Sequence, residues 1–162
     1  MIKRVFIANR GEIALRVIRA CRDLGLTSII GYSEADRNSL PVALADEKIC
    51  IGPASSTESY LNIPSLLTAL EAKDADAVHP GYGFLSENAF FVEACTSSGI
   101  VFIGPSPATM RLMGDKSAAR KKMQCIKVPV IPGVDEVSDP EEALRSAKKI
   151  QFPVMIKSSG GG

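Results

Sequence analysis

The sequence predicts an α/β protein: a doubly wound, mostly parallel sheet followed by the opening of a second domain. Three observations carry this. Short apolar, β-branched runs alternate with segments whose apolar residues recur at helical spacing, the pattern of strands covered on both faces. Glycine and proline mark the corners between them. From Gly104 the texture changes to proline-punctuated, basic segments, which places a domain boundary within residues 104–127.

Val5, Phe6, Ile7 and Ala8 read as a buried parallel strand. After them Ile13, Ala14, Val17, Ile18, Cys21 and Leu24 fall at helical spacing before Gly25, a C-terminal stop. Residues 27–32 give the next strand, with Glu34, Asp36, Arg37 and Asn38 in the polar loop at its carboxyl end, and residues 47–51 a third, short one. Pro64 suits the first turn of a helix continued by Leu66, Leu67, Leu70 and Ala72. Residues 75–79 form a further strand ended by Pro80 and Gly81, Ser86 is expected to cap a helix running to Cys95, and residues 99–103 close the sheet.

Beyond the boundary, Asp139 is a helix cap with Pro140 in the first turn and Glu142 reaching back. The apolar run 152–156 reads as a strand that delivers Lys157 into Ser158, Ser159, Gly160, Gly161 and Gly162. Consecutive glycines after a strand let backbone amides approach a triphosphate, and a lysine there supplies a point charge for its oxygens. The expected division is a domain over 1–113, a linker helix over 114–127, and the start of a second domain over 128–162 that breaks off in its glycine-rich loop. A lone helix and strand lack a sheet to join, so 128–162 is expected to be loosely held.

A chain of 162 residues can bury one good core, roughly 70% of its unfolded surface. Nineteen basic residues against eighteen acidic leave a net charge of +1, so composition points to neither nucleic acid nor an anionic membrane. The four cysteines form no Cys-x-x-Cys pair and share the chain with one histidine, which leaves no zinc pattern. Apolar runs fall far short of a membrane span and no secretory leader opens the chain, so a reducing cytoplasmic compartment is expected.

Two familiar nucleotide signatures fail. Gly11 alone follows the first strand, so the three-glycine dinucleotide fingerprint is missing. Gly114, Asp115, Lys116 and Ser117 lack the adjacent Gly-Lys and the earlier glycine of a P-loop. What remains is two corners where open sheets present ligand groups. Asn9, Arg10, Gly11 and Glu12 occupy the first; a capped turn, with Glu12 favouring the helix terminus, accounts for them as well as a binding role does. The run from His79 to Ala89 occupies the second, where Gly81 and Gly83 can push Tyr82 toward a cleft while a lone His79 reads as structural. Lys116 reads as a solvated lysine; Lys157, between an apolar run and the glycines, does not.

These stretches, together with Phe102-Ile103-Gly104-Pro105, Met113-Gly114-Asp115-Lys116 and Ile156-Lys157-Ser158-Ser159-Gly160-Gly161-Gly162, resemble biotin carboxylase over the entire chain. The resemblance implies a nucleotide-fold N-terminal domain followed by the start of an ATP-grasp domain. It implies an ATP-dependent ligase in which ATP and magnesium activate bicarbonate as carboxyphosphate, and biotin held on a carrier protein is carboxylated. It does not separate the enzymes of acetyl-CoA carboxylase and fatty acid biosynthesis from those of pyruvate or propionyl-CoA carboxylases.

By the same resemblance Lys116, Lys157, Gly160, Gly161 and Gly162 bind ATP, Tyr82 and Gly83 border the biotin side of the cleft, and Arg16 and Arg19 make subunit contacts in a homodimer. The implied partners are a biotin carboxyl carrier protein or domain and a carboxyltransferase. No catalytic residue and no magnesium ligand of the family falls within these residues, so residues 1–162 alone are expected to be inactive. Two other readings stay open: a non-catalytic module that docks to carboxylase subunits, and a fragment of a different ATP-grasp ligase. Two departures are visible. Ile126-Lys127 stands where relatives commonly carry Ala-Gly, and Gln151 where they carry glycine, changes expected to alter turns.

Overall fold

β1 (Arg4–Ile7) is the central strand of a five-stranded sheet. The computed structural model of the chain, which describes residues 1–134 and 136–157, orders the strands β3-β2-β1-β4-β5, every neighbouring pair being parallel. β2 (Thr27–Ser33) and β4 (Ala77–His79) flank β1, with Phe6 opposite both Ile29 and Val78. β3 (Glu47–Gly52) and β5 (Val101–Phe102) form the two edges.

Alternation along β1 divides the core. Phe6 and Ala8 join one cluster with Ile29, Leu66, Leu70, Val78 and Phe91, beneath α3 (Ile63–Ala72) and α4 (Ala89–Ser97). Val5 and Ile7 join the other with Ala14, Val17, Ile18, Ile30 and Val42, beneath α1 (Gly11–Asp23) and the short α2 (Leu40–Leu44). Successive residues of a strand face opposite sides, so an all-apolar strand needs a helix layer on each. Gly31 makes room for the centre: a Cβ there would lie 2.7 Å from the tip of the Phe6 ring, itself fully buried.

α1 ends as its sequence predicts. Leu24 is the last half-helical residue, Gly25 turns with φ +67°, and its N–H and that of Leu26 return to the carbonyls of Arg22 and Cys21 at 3.1 and 2.8 Å. One cap differs from expectation. Ser86 does not start α4; its N–H is engaged by the Gly83 carbonyl in a preceding turn, and Asn88 caps the helix by accepting from the Phe91 N–H at 3.0 Å. Predicted strands 75–79 and 99–103 shorten to β4 and β5 because only those residues find ladder partners.

The chain divides into two compact units, Met1–Pro107 and Ala108–Gly162. From Pro107 onward come α5 (Pro107–Gly114), α6 (Lys116–Cys125) and α7 (Pro140–Ile150). Asp139 caps α7 by accepting from the Glu142 N–H at 2.7 Å, and the Glu142 carboxylate reaches back past the cap to the Ser138 N–H at 2.9 Å. The run 152–156, expected as a strand, is not one: no ladder partner is present among the described residues, and Phe152, Met155 and Ile156 stand 65–82% exposed. Among the described residues of 128–157 none is buried.

Candidate functional site

β1 and β4 pair in register Ile7 to His79, so the loops leaving their carboxyl ends emerge side by side. Asn9, at the first of these exits, is 1% exposed. Its amide nitrogen donates to the carbonyls of Pro80 at 2.7 Å and Tyr82 at 2.9 Å, while its oxygen accepts from the Arg10 N–H at 2.8 Å. A buried amide that satisfied is expensive to replace. The residue between the two carbonyls, Gly81, has φ +65°, and a Cβ on it would fall 2.5 Å from Ile13 and 2.7 Å from the Asn9 amide. Both the backbone conformation and the space there require glycine.

The loop thus fixed presents Tyr82, 60% exposed. Its hydroxyl donates to the Glu12 carboxylate at 2.5 Å, a bond that raises the tyrosine's pKa from its ordinary value. Glu12 lies in the first turn of α1, where a negative charge is favoured. His79 holds the loop from the other side, its Nδ1 accepting from the Gly81 N–H at 2.9 Å; burial lowers its pKa, so the neutral ring serves as an acceptor. The structural reading of this histidine therefore stands.

Arg10 completes the corner. Its guanidinium lies 5.7 Å from the Tyr60 ring centre and 5.6 Å from that of Phe84, and the two rings stack at 4.9 Å. Its Nη1 stands 3.6 Å from the Asp36 carboxylate at the end of β2. Asp36 accepts from the Tyr60 hydroxyl at 2.8 Å and the Ser33 hydroxyl at 2.9 Å; burial pushes the Tyr60 pKa up to about 12. Between the two corners opens a cleft of about 410 Å³ lined by Arg10, Glu12, Ile13, Tyr82 and Phe84 among others. Its walls offer two aromatic faces, one carboxylate and one guanidinium, suited to a small planar polar group.

The structure brings Tyr82 and Gly83 to this cleft together with Asn9, Arg10 and Glu12. Sequence reasoning missed Asp36, Tyr60 and Phe84 as partners of Arg10: Asp36 and Phe84 lie in stretches it had singled out, but nothing local pairs any of the three with Arg10. Arg16 and Arg19 are exposed on α1. Lys116 is exposed at the first turn of α6, behind the Asp115 cap, which accepts from the Ala118 N–H at 2.9 Å; Lys157 is exposed. Gly160, Gly161 and Gly162 lie outside the described residues.

Residues 1–110 match the model of the biotin carboxylase N-terminal domain. The chain belongs to the biotin carboxylase family. Residues 115–162 of this biotin carboxylase family member match a second model, the carbamoyl-phosphate synthase L chain ATP-binding domain. The whole chain is 55% identical to the biotin carboxylase of Allochromatium vinosum and spans 36% of it. Against the chloroplastic biotin carboxylase of Arabidopsis thaliana it is 51% identical, with 98% of this chain and 30% of the relative covered. Among solved structures, a biotin carboxylase β,γ-ATP complex from Campylobacter jejuni superposes with TM-score 0.93 at 53% identity, over 100% of this chain and 36% of that one. The biotin carboxylase domain dimer of Hydrogenobacter thermophilus 2-oxoglutarate carboxylase, crystallised with MgADP, ADP and bicarbonate, superposes with TM-score 0.90 at 45% identity, over 100% of this chain and 36% of that one. The chain spans about a third of the length of the relatives it matches.

Among the described residues no helix is long and apolar enough to cross a membrane.

Proposed function

We propose that this chain is the N-terminal part of an ATP-dependent biotin carboxylase, which carboxylates biotin on a carrier protein with bicarbonate through carboxyphosphate. The observation that supports this most directly is the match of the entire chain, at 53% identity and TM-score 0.93, to a biotin carboxylase solved with an ATP-type ligand. The cleft suits one half of that chemistry. Tyr82 and Gly83 border the biotin side, where an exposed aromatic face can stack on a flat ureido ring while hydrogen-bonding groups at the rim orient it.

Lys116 and Lys157 supply positive charge to ATP, Lys157 at the phosphates, with Gly160, Gly161 and Gly162 covering them. Phosphoryl transfer is chiefly positioning plus neutralisation of spreading negative charge, which cations and backbone amides provide. Among the described residues no group of three or more His, Cys, Asp or Glu side chains could hold a metal ion; the magnesium that accompanies ATP is assigned to ligands other than these. Arg16 and Arg19, exposed on α1, are assigned to the contact with a second subunit. The carrier protein and a carboxyltransferase are the remaining partners, in a cytoplasmic setting. The domain limits we assign are 1–113, a linker helix over 114–127, and the start of the ATP-grasp domain over 128–162.

The test is bicarbonate- and biotin-dependent ATP hydrolysis by a whole-length carboxylase carrying this sequence. Hydrolysis that rises with free biotin is the expected result; ATP turnover indifferent to biotin at every concentration sinks the assignment. Residues 1–162 alone are expected to show no turnover.

A further inference from the structure

Backbone anchoring alone does not aim a tyrosine ring. Asn9 and Gly81 fix the main chain of the 80–82 loop, but a side chain as exposed as Tyr82 keeps two free torsions on which no core packing acts. One contact removes that freedom: the hydroxyl is held by the carboxylate of Glu12. Glu12 is itself carried on rigid structure, since the neighbouring turns of α1 bury Ala14, Val17 and Ile18 against the sheet. The carboxylate lies in the first turn of α1, at the positive helix terminus.

We infer that Glu12 is the positioning residue of the cleft, holding the Tyr82 ring in the orientation in which it receives the biotin ring. This rests on the reading of Tyr82 as a biotin-side residue. Asn9 and Glu12, one turn apart in sequence, thereby grip Tyr82 at its carbonyl and at its hydroxyl. A ring oriented before the ligand arrives loses less freedom on binding, so the effect appears in affinity for biotin and not in the handling of ATP.

The experiment is steady-state kinetics with free biotin in the whole-length carboxylase. Glu12→Ala and Tyr82→Phe, which cut the bond from either end, are each expected to raise KM for biotin about 3- to 10-fold, leaving KM for ATP in place. Glu12→Gln, which keeps an acceptor oxygen, restores most of the loss, and the double variant Glu12→Ala/Tyr82→Phe is no worse than either single one. A wild-type biotin KM for Glu12→Ala, or full additivity in the double variant, overturns the inference. Tyr82→Ala separates the two levels. If it raises the biotin KM while Glu12→Ala is silent, only the positioning role falls; if it too is silent, the assignment of the cleft falls and the positioning role with it. Should Glu12→Ala not fold, Tyr82→Phe reads the loss of the bond alone, and a wild-type biotin KM for it overturns the inference.

Discussion

The Tyr60 hydroxyl donates to the Asp36 carboxylate at 2.8 Å and accepts from the Ser33 N–H at 3.1 Å, deep at the carboxyl end of β2. Tyr60 is 1% exposed. Tyr60→Phe keeps the ring and its stack on Phe84 but strands the Ser33 amide without a partner. A buried donor so orphaned costs about 1–3 kcal/mol, and equilibrium urea unfolding is expected to show a loss in that range with an unchanged slope.

Gly31 sets a packing limit in the opposite sense. A methyl group there meets the Phe6 ring at 2.7 Å and Ile51 at 3.2 Å, and both are buried with nowhere to retreat. Overpacking of this kind costs about 1–3 kcal/mol, so Gly31→Ala is expected to lower the unfolding midpoint. Pairing it with Phe6→Leu, which shortens the obstructing ring, should recover part of the loss; if Gly31→Ala is neutral alone, the close approach is not what keeps glycine here.

Lys127 occupies a left-handed position, φ +60°, just past α6. Its N–H and that of Val128 still close the helix on Gln124 and Met123 at 3.0 and 2.9 Å, so a helix stop forms without the glycine usual there. The strain of a side-chain-bearing residue in this region is about 1–2 kcal/mol. Lys127→Gly is therefore expected to stabilise by about 1 kcal/mol, read as a rise in thermal midpoint; a fall would show that the lysine side chain holds something the backbone does not reveal.

Stability is expected to narrow from both ends of the pH scale. Asp76 accepts from the N–H groups of Lys3 and Arg4, Asp46 from the hydroxyl and N–H of Ser28, and Glu47 from Arg4 and Lys73, so all three have lowered pKa values. A carboxylate whose folded pKa lies below its unfolded value stabilises fully above about pH 4 and loses that contribution as pH falls through the folded value. His79, lowered by burial, follows the same sign from a higher start, its contribution beginning to fade below about pH 6.5. Tyr60 acts at the other end: raised to about 12, it supports the fold below the unfolded tyrosine value and is lost as pH climbs toward 12. Urea midpoints measured from pH 3 to 11 should flatten on the acid side in Asp76→Asn and on the alkaline side in Tyr60→Phe.

Legibility followed the range of the forces involved. β1, α1 and the stop at Gly25 could be read because their signals lie within a few residues of one another. The choice between Ser86 and Asn88 as cap could not, because both side chains suit the role; Asn88 takes it by accepting from the Phe91 N–H, while Ser86 lies in the preceding turn. The run 152–156 has the composition of a strand, yet a strand exists only where a partner lies beside it. In the cleft, glycines flagged the Tyr82 loop; the Asp36–Tyr60 bond spans 24 residues, and no local pattern announces it. Ile126-Lys127 and Gln151 were expected to alter turns; Lys127 and Gln151 adopt positive φ, +60° and +77°, and the helix stop after α6 forms with the lysine in place.

Asn9 reaches across more than seventy positions of sequence to clasp the loop after β4, and it leaves directly from the strand that pairs with β4. Once those two strands zip together, the clasp closes with them and the mouth of the cleft takes its form as a by-product. The cleft is in this sense inherited from the sheet. Variation on this scaffold is therefore free to retune what projects from the loop, while any insertion between positions 9 and 12 or between 79 and 83 would have to rebuild both corners at once.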